Sequence, residues 1–271
     1  MKITIGQYYP ADSFIHRMDP RMKLLCTMLF IVFIFFINNF LGYAVAALFL
    51  TVIIRTSKVP LKLMLKGMKA IFFIIIFTAV LNIFFTSGGT VLVEVGFITI
   101  TLEGLLNAGR MALRLVMLII GSSVLTLTTT PIQLTDAIEY SLKPLKKIGV
   151  PAHEIAMMMT IALRFIPTLM EEMDKIRKAQ TARGADFDTG GLIKKAKSLI
   201  PLLVPLFISA FRRAEELALA MEARCYRGDV GRTRMKQMKM AKRDYAAFAL
   251  MATFVASIFV LNHVAYILAV W

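Results

Sequence analysis

Residues 24–37 read LLCTMLFIVFIFFI, and residues 70–85 read AIFFIIIFTAVLNIFF. Neither run carries a charge. A helix on the surface of a soluble domain keeps one polar face, whereas a segment that is apolar all round belongs in a large core or in lipid. Working outward, comparable blocks cover residues 22–37, 40–54, 70–85, about 105–128 and 246–271. The chain has 271 residues, 58% of them hydrophobic, with a mean hydropathy of +0.71. With the apolar residues gathered in blocks, the pattern predicts an all-α membrane protein of about five transmembrane helices. The block at 40–54 falls short of the roughly 20 residues a span needs, and is expected to be a tilted partner in a hairpin turning at Asn38-Asn39.

The net charge of +15 takes its meaning from where it lies. On a soluble protein it would suggest nucleic acid, but here Lys and Arg fall on alternate connections. The first arm carries Lys2, Arg17, Arg21 and Lys23, and the connection after the second block carries Arg55, Lys58, Lys62, Lys66 and Lys69. Residues 132–243 carry 21 basic against 12 acidic residues, while 86–107 and the chain after Tyr245 carry no Lys or Arg. The positive-inside rule then places the N-terminus in the cytoplasm and the C-terminus outside, in the cell membrane. The expected partner of the charge is the lipid bilayer and no nucleic acid. Cys26 and Cys225 form neither a disulfide framework nor a metal-ligand spacing, and the first 23 residues lack the apolar core of a cleavable signal.

The expected organisation is an N-terminal cytoplasmic arm (1–21), a membrane domain of about four spans (22–131), a cytoplasmic domain (132–244) and a last transmembrane helix (245–271). About 110 residues is too long for a structureless connection. The sequence predicts one helix over about 132–147, interrupted at Pro144. A second runs from Val150-Pro151 to Arg183, with Phe165, Leu169, Met173 and Ile176 on one face. A third opens around 192–206 and continues with Phe207, Phe211, Ala214, Leu217, Ala218 and Met221 on one stripe, ending at 224–228. The last two are more apolar than a solvated pair, as amphipathic helices that dock on a membrane or a partner are.

Those two helices end alike. One closes on EEMDKIRKAQT followed by Ala182-Arg183-Gly184, the other on RRAEELALAME followed by Ala223-Arg224-Cys225, 41 residues later. A single such triplet is explained by an Arg at a helix C-terminus, which the macrodipole favours; a matched pair asks for more. With the arm SFIHRMDPRMK at residues 13–23, the two triplets make the whole chain resemble the transmembrane T component of energy-coupling factor (ECF) transporters, prokaryotic importers of vitamins and metals. That family ends its coupling helices on two Ala-Arg-Gly-like motifs, and Cys225 here replaces the second Gly.

The resemblance implies a non-catalytic coupling subunit. It would bind two ABC-type ATPases in the cytoplasm and a substrate-binding S component in the membrane. Arg183 and Arg224 would enter grooves on the ATPases, with Ala182, Gly184, Ala223 and Cys225 keeping the tips slim. No cofactor is expected on this chain, and ATP and Mg would belong to the partners; consistent with that, no G-x-x-x-x-G-K-[ST] occurs in the sequence. The competing reading is an intramembrane enzyme of the glutamate-protease type, suggested by Glu171-Glu172 ahead of Arg177, although that Arg falls one residue late. Asp19-Pro20 is expected to cap and start the first span, with Arg17, Arg21 and Lys23 as headgroup anchors. Arg110 and Arg114 would snorkel or pair with Glu94, Glu103 or a partner subunit. Asn82 and Asn262 are expected to hydrogen-bond between helices.

Overall fold

The computed structural model describes residues 8–68, 71–85, 90–95, 98–187, 191, 193, 197–228 and 238–270. Its helices are α1 (Pro20–Ile34), α2 (Phe40–Ser57), α3 (Leu61–Met68), α4 (Phe72–Phe85), α5 (Leu102–Thr128), α6 (Pro131–Leu142), α7 (Ala152–Ala182), α8 (Ile200–Ala223) and α9 (Lys242–Val270). A 3-10 turn, Lys143–Ile148, follows α6 at the interruption expected for Pro144. The fold is that of an all-α membrane protein, with two small additions that the sequence did not announce. One is α3, in the basic connection after the second block; the other is a hairpin. Val91–Val95 and Ile98–Thr101 form an antiparallel hairpin, β1 and β2, between α4 and α5.

All five apolar blocks are helical, but their lengths differ from expectation. α2, α5 and Lys242–Val264 of α9 are long and apolar enough to cross a membrane, whereas α4 is a shorter apolar helix. The block expected to be short, α2, runs through Arg55 to Ser57, for 18 residues. The short ones are α1, with 15 residues, and α4, with 14. At 1.5 Å per residue these two reach only about 22 Å of the roughly 30 Å hydrocarbon layer.

The chain divides into two compact units, residues 1–137 with 237–271, and residues 138–236. In the first, α5 is the axis against which α1, α2, α3 and α4 pack, and α9 packs against α1 and α2. The core joins Phe30, Ile34, Tyr43, Ala46, Phe254 and Ile258. Phe49 stacks on Phe254 at 4.4 Å between ring centroids. Gly121 lets α1 approach α5: a Cβ there would stand 2.5 Å from Cε1 of Phe30, far inside contact distance. In the second unit, α7 packs on α8 and on the 3-10 turn.

Candidate functional site

The two Ala-Arg-small triplets are helix terminations of one geometry. Ala182 is the last residue of α7, Arg183 is its C-cap (φ −87°, ψ 5°) and Gly184 has φ +90°. Gly184 N–H donates to the Thr181 carbonyl (3.0 Å) and Ala185 N–H to that of Gln180 (3.0 Å). Ala223 is the last residue of α8, Arg224 is its C-cap (φ −91°, ψ 11°) and Cys225 has φ +55°. Cys225 N–H donates to Glu222 (2.8 Å) and Tyr226 N–H to Met221 (3.1 Å). Both are Schellman motifs, in which a left-handed residue after the cap turns the chain back and satisfies the last carbonyls. The third position is therefore small for a backbone reason. Gly adopts a left-handed conformation freely, and Cys225 is one of two non-Gly residues with positive φ among the described residues, the other being Lys58.

All six residues of the triplets are exposed. Neither Arg183 nor Arg224 makes a side-chain hydrogen bond or ion pair among the described residues, so both guanidinium groups keep their five donors for a partner. Past the first tip, Phe187 lies under the Arg177 guanidinium, 5.9 Å from Cζ to the ring centroid, folding the chain back along α7.

α7 and α8 are tied at Glu172. Its Oε1 accepts from the Ser209 hydroxyl, and its Oε2 accepts from Arg213 Nη2 at 3.1 Å. The Ser209 hydroxyl first, then Arg213, holds the Glu172 carboxyl below the usual glutamate range. Glu172 and Arg213 each stand 11 residues before the Arg at the tip, so the tie lies about 16 Å along each helix from its cap. On the stripe expected for α8, Phe207 and Phe211 are 60% and 72% exposed, as residues that dock elsewhere would be, whereas Leu202, off that stripe, is buried. The covered face of α8 passes through Leu206, Ser209 and Arg213 instead. The opening expected around 192–206 falls in part outside the described residues; the described helix starts at Ile200. At the other end of α7, His153 Nδ1 lies 3.3 Å from Glu139 Oε1 of α6.

The arm at residues 13–23 builds a second constellation. Asp19 caps α1, its Oδ1 accepting from Arg21 N–H at 2.9 Å, as the sequence predicts. Arg21 and Lys23 are not headgroup anchors: both are turned into the protein. Lys23, 4% exposed, donates from Nζ to the carbonyls of His16 (3.1 Å) and Thr128 (2.9 Å). Arg21 donates to Asp19 and to the Met238 carbonyl. Buried Asp244 accepts from Asp19 N–H at 2.8 Å and from Ala241 N–H at 2.7 Å. His16 Nε2–H donates to the Tyr9 carbonyl (2.9 Å) and its Nδ1 accepts from the Ser13 hydroxyl (2.7 Å). Burial lowers the His16 pKa below its ordinary 6.5. The starts of α1 and α9 and the end of α5 are thereby locked together. Asp244, an acid directly after Lys242-Arg243 at a helix start, was the one sequence signal of this lock.

At the opposite end, Arg114 donates to the Ile37 carbonyl (3.1 Å) and Arg110 to that of Asn38 (3.4 Å). Both carbonyls lie past the end of α1, so the two arginines hold the turn between α1 and α2, and Arg114 also lies over the Phe35 ring. No ion pair of either with Glu103 is present among the described residues; the Glu94 side chain lies outside them. Asn262 Nδ2 of α9 donates to the Phe36 carbonyl at 2.6 Å, in the turn after α1 rather than within a second helix. Asn82 instead bonds within α4, to Thr78.

A family model described as CbiQ, cobalt transport protein, matches residues 11–237. This chain belongs to the CbiQ family. The energy-coupling factor transporter transmembrane protein EcfT of Clostridium kluyveri is 61% identical over 90% of this chain and 91% of its own length. EcfT of Ruminiclostridium cellulolyticum is 55% identical over 97% and 98%. EcfT of Thermosediminibacter oceani is 59% identical over 91% and 93%. The CbiQ match takes in the arm and both triplets. It gives the glutamate-protease alternative no support, and Glu172 is engaged in joining two helices.

Proposed function

We propose that the chain is the coupling subunit of an ECF-type ABC importer for vitamins or other micronutrients. Residues 132–244 would lie in the cytoplasm and receive two ABC-type ATPases at Arg183 and Arg224. The membrane helices would hold one or more S components, which choose the substrate. The observation that carries this reading is the pair of identically terminated helices, each ending on an exposed Arg with no partner of its own among the described residues. A guanidinium on a rigid helix end offers bidentate contacts to carboxylates or carbonyls in a groove. With α7 and α8 tied at Glu172, movement at one tip is passed on as rigid-body movement. The apolar outward face of α8, with Ile200, Leu203, Val204, Phe207 and Phe211 exposed, suits a docking surface for a membrane partner.

In this reading no cofactor is held by the chain, and ATP and Mg are bound and turned over on the ATPases. The N-terminus faces the cytoplasm and the C-terminus the exterior of a prokaryotic cell. The lock at the arm end of the bundle would then lie on the cytoplasmic side, with the basic connections. The test is a mild-detergent pull-down with this chain as bait. ATPase subunits and small membrane proteins among the captured chains are the expected result. Capture of neither, from cells importing the micronutrient, would overturn it.

A further inference from the structure

The bundle of the first unit contains two adjoining cavities that no part of the coupling role uses. One, of about 330 Å³, lies between α1, α2, α5 and α9 and is lined by apolar side chains such as Phe30, Phe49, Val124, Leu250 and Met251. Lys23 stands among its lining residues. The second, of about 350 Å³, is lined by Asp12, Ser13, Phe14, Arg17, Lys58 and Arg243. Phe14 borders both, which sets a mouth with three cations and one carboxylate beside the apolar slot.

From this juxtaposition we infer a binding site for one anionic phospholipid, with an acyl chain in the slot and the phosphate at Arg17, Lys58 and Arg243. A cavity lined by apolar side chains takes apolar ligands. Its size falls within the range of built ligand pockets. The mouth has unmet capacity for an anion. Asp12 takes Nε and Nη2 of Arg17, which leaves Nη1 of that guanidinium for the phosphate. Arg243 Nε is buried without a hydrogen-bond partner among the described residues, and Lys58 is exposed on the left-handed C-cap of α2. Lys23 uses two of its three N–H donors on carbonyls, leaving one for an ester oxygen of the lipid. Basic clusters at the edge of a membrane bundle bind anionic lipids in this way. The lipid would fill the space under the lock between α1, α5 and α9.

The full chain, purified in mild detergent, is titrated with phosphatidylglycerol, phosphatidylcholine of the same acyl chains and glycerol phosphate, and bound species are counted by native mass spectrometry. The expected result is retention of one phosphatidylglycerol, about tenfold tighter than phosphatidylcholine. The R17Q/K58Q/R243Q variant should bring the two lipids near parity, a loss of roughly tenfold in preference. Filling the slot with Ala247→Phe should abolish retention of both. Equal binding of the two lipids by the unmodified chain, undiminished preference in the charge variant, or glycerol phosphate binding as well as the lipid would each overturn the site. If Ala247→Phe does not give a monodisperse protein, the rate of maleimide reaction at Cys26 in a Cys225→Gly background replaces it, because Cys26 lines the slot. Phosphatidylglycerol should slow that reaction at least fivefold; an unchanged rate would overturn the site.

Discussion

Cys225 and Gly184 hold the same left-handed corner, at φ +55° and +90°. A side chain there costs about 1 kcal/mol that Gly does not incur. Cys225→Gly is therefore expected to stabilise the end of α8 by about 1 kcal/mol, and Gly184→Ala to destabilise the end of α7 by a similar amount. Amide exchange at Tyr226 and Ala185 measures both. A small residue at this position was legible in the sequence, but its reason was not, since slimness and a positive φ ask for the same residue. His16 gives a second expectation. Burial lowers its pKa, so the folded arm holds a neutral ring while the unfolded chain takes up a proton near 6.5. The unfolded state then binds more protons as pH falls, so the contribution of His16 is complete above pH 6.5 and is lost below it. Melting of the detergent-purified chain at pH 7.5 and 5.5 should show the loss, and His16→Gln should remove that part of the pH dependence.

The tie between α7 and α8 makes two neighbouring glutamates unequal. Glu171 is exposed, while Glu172 binds Ser209 and Arg213. Glu172→Gln should loosen the pair and speed amide exchange along the facing stretches of α7 and α8; Glu171→Gln should be close to silent. The depressed pKa of Glu172 gives the tie a pH dependence: it is intact above the ordinary glutamate pKa and weakens as pH falls through the lower, folded value. The existence of the long helices was plain in the sequence, because 3.6-residue periodicity and caps such as Asp19-Pro20 act locally, whereas α3 and the β1–β2 hairpin fall in stretches that read as connections. Element length was harder. Hydropathy does not register that α2 carries Arg55 within its last turn, or that α1 ends its helix at Ile34 despite three more apolar residues. The face of α8 that packs on α7 was also hidden, because its bulkiest apolar residues, Phe207 and Phe211, are exposed and the covered face carries Ser209 and Arg213.

For the whole molecule, the alternation of Lys and Arg between connections predicts sidedness. A cysteine introduced at Gly89 should react with an impermeant thiol reagent added outside intact cells, and one at Gly190 should not; both positions lie outside the described residues and serve only as labels. The reverse pattern would overturn the orientation. Composition was enough to read a membrane protein and its internal echo, because lipid demands contiguous apolar blocks and the echo is written in adjacent residues. The lock between Asp19, Lys23, Thr128 and Asp244 was not legible. Its members are up to 225 residues apart and each has an ordinary local explanation. The central claim is that Arg183 and Arg224 are where ATPase movement enters the chain. The most direct measurement is purification of the Arg183→Glu, Arg224→Glu double variant in mild detergent together with uptake by cells that carry it. Loss of the ATPases from the complex and loss of uptake is the predicted result; an intact complex with normal uptake would contradict it.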